Sequence, residues 1–326
     1  MTETAPQLRT FKTLRVSLTN RCNLECTYCV TGTGRTGVQN QPITSREKTE
    51  SLLGAIGKLH EILQLRTIRL TGGEPLLFLD LAYFVTGLKA MGLDDIRLTT
   101  NGVLLKPQLT SLAKAGINRI NVSLDAINPL IFRELSRRRS IMQILQGIEE
   151  AVRIGLPLKI NTVVVRGIND QEIIPLLQYA AGLKIQIRFL ELMSMGHLYN
   201  DPGSQPKSFM NGRFYSQADI LRNISTRHTF TAQPRRPSAT ANTWITREGQ
   251  VFGIIANESA PFCTDCDRLR IDSEGRLFGC LSSNIPIQTA HEDSDALWNK
   301  KLMIAMSQKQ TDKFSGSALS MLNIGG

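Results

Sequence analysis

Six times between about residue 13 and about residue 190, a short β-type stretch is followed by an amphipathic helical one. The strand candidates are "LRVSLT" (14–19), "TIRLT" (67–71), "IRLTT" (96–100), "RINVSL" (119–124), "LKINTVVV" (158–165) and "IQIRFLEL" (185–192). In "SREKTESLLGAIGKLHEIL", Leu52, Leu53, Ile56, Leu59 and Leu63 recur at helical spacing, as do Ile141, Ile144, Leu145, Ile148 and Val152 in "SIMQILQGIEEAVRIG". "DLAYFVTGLKAMG", "PQLTSLAKAG" and "QEIIPLLQYAAG" complete the helices. Thr44 with Glu47, and Asn169 with Glu172, have the spacing of capping pairs. Repeated βα alternation predicts parallel strands with helices outside, as an open sheet or a barrel.

Side-chain parity says what fills the middle. Leu14, Val16 and Leu18 share one face of the first strand, and Arg15, Ser17 and Thr19 the other. Ile68 and Leu70 oppose Arg69 and Thr71; Ile120 and Val122 oppose Asn121 and Ser123. Leu158 and Ile160 oppose Lys159 and Asn161; Ile187 and Phe189 oppose Arg188. One face suits covering helices, and the other collects cations and small polar groups. A closed eight-stranded barrel fills its interior with branched apolar residues. A cationic interior predicts a wider or incomplete barrel that holds a charged ligand, because an unpartnered buried cation is costly.

From about residue 200 the pattern changes. "YNDPGSQPKSFMNG" reads as loop and "SQADILRNI" as a short helix. "TWITREGQVFGII" and "RLRIDSEGRLFGCL" read as hairpins, and "DALWNKKLMIAMSQK" as a last helix. The expected division is a barrel over 1–215 and a smaller α+β region over 216–326. The opening "MTETAPQLRT" has no apolar core, and no apolar run is long enough to span a bilayer, so a cytoplasmic protein without a membrane partner is expected. Net charge is +10, which suits an anionic partner. No aromatic stripe accompanies it, so nucleic acid is not the expected one. The densest basic run, Arg137–Arg139, falls between two helical patterns.

The six cysteines come as two triplets. Cys22, Cys26 and Cys29 form C-x3-C-x2-C just after the first strand, at the end of a parallel βα fold where active sites sit. Cys263, Cys266 and Cys280 form C-x2-C-x13-C. Such thiolate density holds zinc or iron–sulfur centres. Structural zinc wants four ligands, and for the second triplet His291 could complete a ribbon-type site. Three ligands on a four-iron cubane leave one iron open. Two triplets favour two such clusters.

"CNLECTYC", with Tyr28 before its last cysteine, and "TGGEP" (71–75) resemble the cluster and methionine-binding motifs of radical S-adenosylmethionine enzymes. "LRVSLTNRC", "RLTGGEPLL", "LTTNG", "NVSLDA", "KINTVVVRGINDQEI", "RFLELMSMG", "FCTDCDRLRIDSEGRLFGCL" and the terminal "IGG" resemble one family within them, the GTP 3′,8-cyclases of molybdenum cofactor biosynthesis. The resemblance implies an α/β fold, a partial (β/α)6 barrel of parallel strands with a C-terminal region carrying a second iron–sulfur cluster. It implies two [4Fe-4S] clusters, on Cys22, Cys26 and Cys29 and on Cys263, Cys266 and Cys280, with S-adenosyl-L-methionine as cofactor. A 5′-deoxyadenosyl radical would take the C3′ hydrogen of GTP, and C3′ would then attack guanine C8. The product would be (8S)-3′,8-cyclo-7,8-dihydroguanosine 5′-triphosphate.

By the same resemblance, Tyr28, Gly73, Ser123 and Met193 would contact S-adenosylmethionine. Arg15, Arg69, Thr100 and Lys159 would contact GTP, with Arg188, Arg268 and Arg270 beside them. The second cluster would bind the guanine base. The Gly325–Gly326 tail would enter the barrel and act with Arg268 and Arg270 in catalysis. An electron donor of unspecified identity, a homodimer, and hand-over to cyclic pyranopterin monophosphate synthase are family-level expectations. The chain departs from the family pattern at Val30–Thr31, at Phe78 after "GGEPLL", at Thr67 where Lys is common, and at "CDR" for "CNR". The competing readings are a radical S-adenosylmethionine enzyme acting on a peptide or another small molecule, and a nucleic-acid-binding zinc-ribbon protein.

Overall fold

The computed structural model describes residues 9–30, 45–199 and 212–325. Six parallel strands lie side by side in chain order: β1 (Thr13–Ser17), β2 (Thr67–Thr71), β3 (Asp95–Thr100), β4 (Arg119–Ser123), β5 (Leu158–Val164) and β6 (Gln186–Glu191). Helices α1 (Arg46–Leu63), α2 (Leu81–Ala90), α3 (Leu105–Ala115), the pair α4 (Pro129–Ser136) and α5 (Ile141–Arg153), and α6 (Ile173–Gly182) make the crossovers. The apolar strand face is the buried one: Leu14, Val16, Ile68, Leu70, Ile96, Leu98, Ile120, Val122, Ile160 and Ile187 are all fully enclosed. Leu52, Leu53, Ile56 and Leu59 of α1, and Ile144 and Ile148 of α5, join the same core. This is the incomplete barrel that parity predicts.

The C-terminal elements extend this sheet at both edges. After α7 (Gln217–Ser225) come β7 (Phe230–Gln233), β8 (Asn242–Thr246) and β9 (Val251–Ile255); β9 pairs in parallel with β6. β10 (Arg268–Ile271) pairs in parallel with β1, and β11 (Arg276–Phe278) and β12 (Ile287–Gln288) follow antiparallel. Helices α8 (Asp295–Ser307) and α9 (Met321–Ile324) close the chain. Among the described residues the sheet therefore has twelve strands. The hairpins read from sequence are present, turning at Gly249 and Gly275, both with positive φ.

Two cap expectations change. Thr44 lies outside the described residues, and the N-cap of α1 is Ser45, whose hydroxyl accepts from Lys48 N. Asn169 and Glu172 are not a cap pair. The Asn169 side chain accepts from Val165 N at 2.7 Å and donates to the carbonyls of Asp125 and Val163. Glu172 accepts from Ile127 N and Asn128 N. Buried polar groups take whatever backbone partners are orphaned nearby, and here those belong to the end of β5 and the β4–α4 loop.

Candidate active site

The first cysteine triplet sits on the loop leaving the C-terminal end of β1, and its three thiols are partly buried. That loop is braced from three sides. Gly73 N donates to Thr19 O at 2.6 Å and Glu74 N to Arg21 O at 2.7 Å. A Cβ on Gly73 would lie 2.2 Å from Arg21 O, so only glycine allows this approach. Glu74 is fully buried; its carboxylate accepts from Leu76 N, Asn101 N and the Thr100 hydroxyl. Burial, offset by these donors, pushes it up to about 7. Tyr28 donates to Asp125 at 2.6 Å, and Asp125 also accepts from Val163 N.

Burial drives the Cys22 thiol up to about 11 and Cys29 up to about 12. Thiols held protonated this way ionise when a metal centre coordinates them. Leu24 N and the Asn101 amide already point at Cys22 Sγ, at 3.4 and 3.7 Å. Three soft donors on a dry loop with N–H groups facing sulfur fit an iron–sulfur cluster.

The inner face of the barrel is a row of cations. Arg270, Arg15, Arg69, Arg97 and Arg119 are successive register partners across β10, β1, β2, β3 and β4. Lys159 pairs with Asn121 in register, and Asn161 with Arg188. Gly253 on β9 faces Arg188, where a Cβ would come within 3.3 Å of its side chain. The buried Nε atoms of Arg15 and Arg69 and both terminal nitrogens of Arg268 have no partner. Burial and mutual repulsion hold Arg69 down to about 9, Arg188 to about 10 and Lys159 to about 7. A guanidinium keeps its proton in a protein, so the arginine row is short of negative charge. At an effective dielectric of about 20, like charges 4 Å apart repel by about 4 kcal/mol. A polyanionic ligand relieves this.

The second triplet lies at the opposite end of the lumen. Cys263 and Cys266 precede β10, and Cys280 follows the antiparallel β11, so all three flank the N-terminal end of β10 and β1. From Thr13 to Ser17 is four strand steps, roughly 13 Å. Arg268 Nε and Lys309 Nζ each reach Cys266 Sγ at 3.4 Å. Burial alone would raise Cys266, but these two cations bring it down to about 7. His291 stands elsewhere, packed on Gly54 of α1 and 3.1 Å from Glu292. His291 lies beside Glu274 and Gly275 at the β10–β11 turn, the end of β11 away from Cys280, so it does not complete a ribbon site with the second triplet.

The C-terminal tail enters the lumen. Gly325 has φ +72°, and a Cβ there would meet Thr71 at 2.7 Å and Ser17 at 3.0 Å. Arg270 donates to the carbonyls of Ile324 (3.3 Å) and Gly325. Ile324 packs with Met195 and Phe278, with Met193 alongside. Asn257 Nδ2 lies 2.9 Å from Met193 Sδ. Gly326, Thr31 and the glycine-rich stretch after it lie outside the described residues.

The structure thus gathers Arg15, Arg69, Lys159, Arg188, Arg268, Arg270 and Gly325 in one lumen. Ser123 ends β4 on the same face. Thr100 stands apart: it shares the buried parity of Leu98, and its hydroxyl is taken up by Glu74 and Gly102 N. Residues not singled out from sequence are Arg97, Arg119, Lys309, Asp125 and Glu191. Parity carried through β3 and one step back along β4 would have found the two arginines. Glu191 accepts from Gln217 N, Glu258 N, Ser259 N and the Ser259 hydroxyl, fixing the C-terminal region to the barrel.

The radical SAM superfamily model matches residues 16–180, and the Molybdenum Cofactor Synthesis C model matches residues 185–314. A GTP 3′,8-cyclase of Aquifex aeolicus is 34% identical over 310 residues, covering 94% of this chain and 92% of the relative. One of Nautilia profundicola is 38% identical over 270 residues, covering 82% and 80%. The chain belongs to the GTP 3′,8-cyclase family. Solved structures superpose more distantly. SuiB of Streptococcus suis bound to its precursor peptide SuiA gives a TM-score of 0.61 at 17% identity, covering 89% of this chain and 66% of SuiB. Native anSMEcpe with bound AdoMet and Cp18Cys peptide gives 0.60 at 16%, covering 91% and 83%. These two show the fold alone. Among the described residues, no helix of this cyclase-family chain is long and apolar enough to cross a membrane.

Proposed function

We propose that the protein is a GTP 3′,8-cyclase, joining ribose C3′ of GTP to guanine C8 as the first step of molybdenum cofactor biosynthesis. The observation that carries this reading is the arginine row across β10, β1, β2, β3 and β4, set between two cysteine triplets at opposite ends of one lumen. Cys22, Cys26 and Cys29 would hold a [4Fe-4S] cluster and Cys263, Cys266 and Cys280 a second one. With S-adenosylmethionine bound there, the first cluster would supply one-electron cleavage chemistry.

The chain's own residues then bind, orient and exclude. Tyr28, Gly73, Ser123 and Met193 line the cofactor side. Arg15, Arg69, Lys159 and Arg188 hold the triphosphate, with arginine forks matching phosphate oxygens in pairs. Arg268 aims its unpartnered nitrogens from beside Cys266. Arg270 draws the tail against Ser17 and Thr71, closing the lumen over the reacting sugar. Residues 1–215 would form the radical barrel and 216–326 the region that completes its edges.

The test is anaerobic. Protein reconstituted with iron and sulfide is given S-adenosylmethionine and dithionite, and 5′-deoxyadenosine is measured with and without GTP. Stimulation by GTP together with a cyclised nucleotide supports the reading. Cofactor cleavage indifferent to GTP would sink the substrate assignment and leave the peptide-modifying alternative.

A further inference from the structure

Reductive cleavage of S-adenosylmethionine consumes one electron per event, and the electron must enter from outside near the first triplet. The surface over that triplet is distinctive. Glu25 N donates to Ser136 O at 3.1 Å and Thr27 N to Leu135 O at 2.9 Å, so the end of α4 is zipped onto the backbone between Cys22 and Cys29. Arg138 pairs with Glu25 at 2.5 Å, a second tie between the same two segments. The turn is fixed by Arg137 in the left-handed region (φ +56°) and by Arg138 N donating to the Ser136 hydroxyl. The arginine run therefore sits directly above the cysteine loop.

Its outer face combines charge with exposed apolar groups. Leu130 and Arg133 follow at helical spacing on α4, and the half-buried Arg137 caps its C-terminal end. Arg133, Arg138 and Arg139 are exposed, Leu130 is 76% exposed, and Met142 at the start of α5 is 57% exposed. Over residues 130–142 the arginines Arg133, Arg137, Arg138 and Arg139 outnumber the single carboxylate Glu134, and exposed apolar groups among such cations suit a protein-docking patch for an acidic partner. Nucleic acid is the weaker fit, because the patch has no aromatic platform.

The geometry points to this patch, built on Leu130, Arg133, Arg137, Arg139 and Met142, as the docking site of an acidic one-electron carrier protein that reduces the first cluster. The inference rests on the proposed function only through that cluster. In each event the carrier is oxidised by one electron. That electron enters the C5′–S bond of S-adenosylmethionine as it breaks, leaving methionine and the adenosyl radical.

The experiment compares the reconstituted wild-type chain with the Arg133→Glu/Arg139→Glu double variant and with Lys114→Glu as a distant charge control. Bleaching of the cluster absorbance is followed by stopped flow, with reduced flavodoxin as carrier probe and with dithionite. The expected result is a loss of about tenfold or more in the flavodoxin rate at low salt for the double variant. High salt should remove most of that difference. Dithionite rates, iron content and the Lys114→Glu variant should match wild type. Equal rates for all three proteins with flavodoxin, or equal losses with both reductants, would overturn the proposal. So would weaker nucleic-acid retention by the double variant with unchanged flavodoxin rates. A chain that assembles no iron–sulfur chromophore overturns the functional reading itself and the patch with it, whereas bleaching that proceeds normally while GTP stays unreacted sinks only the substrate assignment.

Discussion

Arg15 on β1 and Arg270 on β10 are register partners across a parallel strand pair, yet only Arg270 is satisfied, by the tail carbonyls of Ile324 and Gly325. Arg15 keeps a buried Nε without a partner, and burial followed by repulsion from Arg270, Arg69 and Arg268 holds it well below its usual range. One arginine of the pair thus serves the chain and the other is left for a ligand. Hydrogen bonds from a charged donor contribute about 1.5–3 kcal/mol. Arg270→Ala should therefore lower cyclised-product formation by roughly 10- to 150-fold. Iron per chain should be unchanged, since the guanidinium bonds to the tail and not to a cysteine. Iron analysis beside product quantification checks this; a parallel loss of iron would mean that Arg270 supports the second triplet instead.

Gly73 gives a sharper structural case. A methyl placed 2.2 Å from Arg21 O meets backbone on the loop that carries the first triplet, and nothing flexible is there to yield. Gly73→Ala should displace that loop. Iron content should fall to about half, reflecting the second triplet alone, and S-adenosylmethionine cleavage should be lost. Full iron content with normal cleavage in the purified variant would show that the loop tolerates the shift.

Lys159 carries the pH dependence. Burial first, then Arg188, Arg119, Arg97 and Arg69, lower it to about 7 in the free protein. A bound triphosphate favours the ammonium and raises that value again. Below pH 7 the lysine is charged with or without ligand. Above it, binding must take up a proton, so GTP affinity should weaken as pH rises from 7.5 to 9, by up to about tenfold per unit. Calorimetry in buffers of different ionisation heat should register the uptake, and Lys159→Arg should flatten the profile. The folded protein's own stability runs the other way: a lysine depressed on folding disfavours the folded state at neutral pH, and that penalty fades as pH rises towards its unfolded value.

The strand faces were legible because parity is a local property of the sequence. Alternation assigned Arg15, Arg69, Lys159 and Arg188 to one face, and the register confirms that they share it. Lys309 was not legible. It follows α8, far along the chain from Cys266, and only tertiary packing brings its ammonium to that sulfur and to the Arg268 carbonyl. The joining of β9 to β6 and β10 to β1 was equally hidden, since hairpin patterning says which strands turn back but not which edge they extend. Asn169 misled for a related reason. Its spacing to Glu172 fits a cap, but a buried amide with three unsatisfied backbone groups nearby is worth more to the fold than a helix terminus that a short 3-10 turn already opens.

Arg97 should be part of substrate binding. Thr67 donates its hydroxyl to Asp95 Oδ2 at 2.7 Å across the β2–β3 pair. Asp95 in turn holds Arg97 through Nε (2.8 Å) and one terminal nitrogen (2.5 Å). Arg97 is the register neighbour of Arg69, so a cation returns to the lumen one strand further on, aimed by a carboxylate and with its other terminal nitrogen left to donate. Arg97→Gln should raise the KM for GTP by about tenfold, the worth of one charged hydrogen bond, with little change in kcat. Arg97→Lys should recover only part of this, because an ammonium supplies the charge but not the fork that both Asp95 and a phosphate can use. S-adenosylmethionine cleavage in the absence of GTP should be the same in all three proteins, which separates a binding role from a structural one. If KM stays at the wild-type value in both variants, Asp95 neutralises Arg97 entirely and Arg97 takes no part in binding.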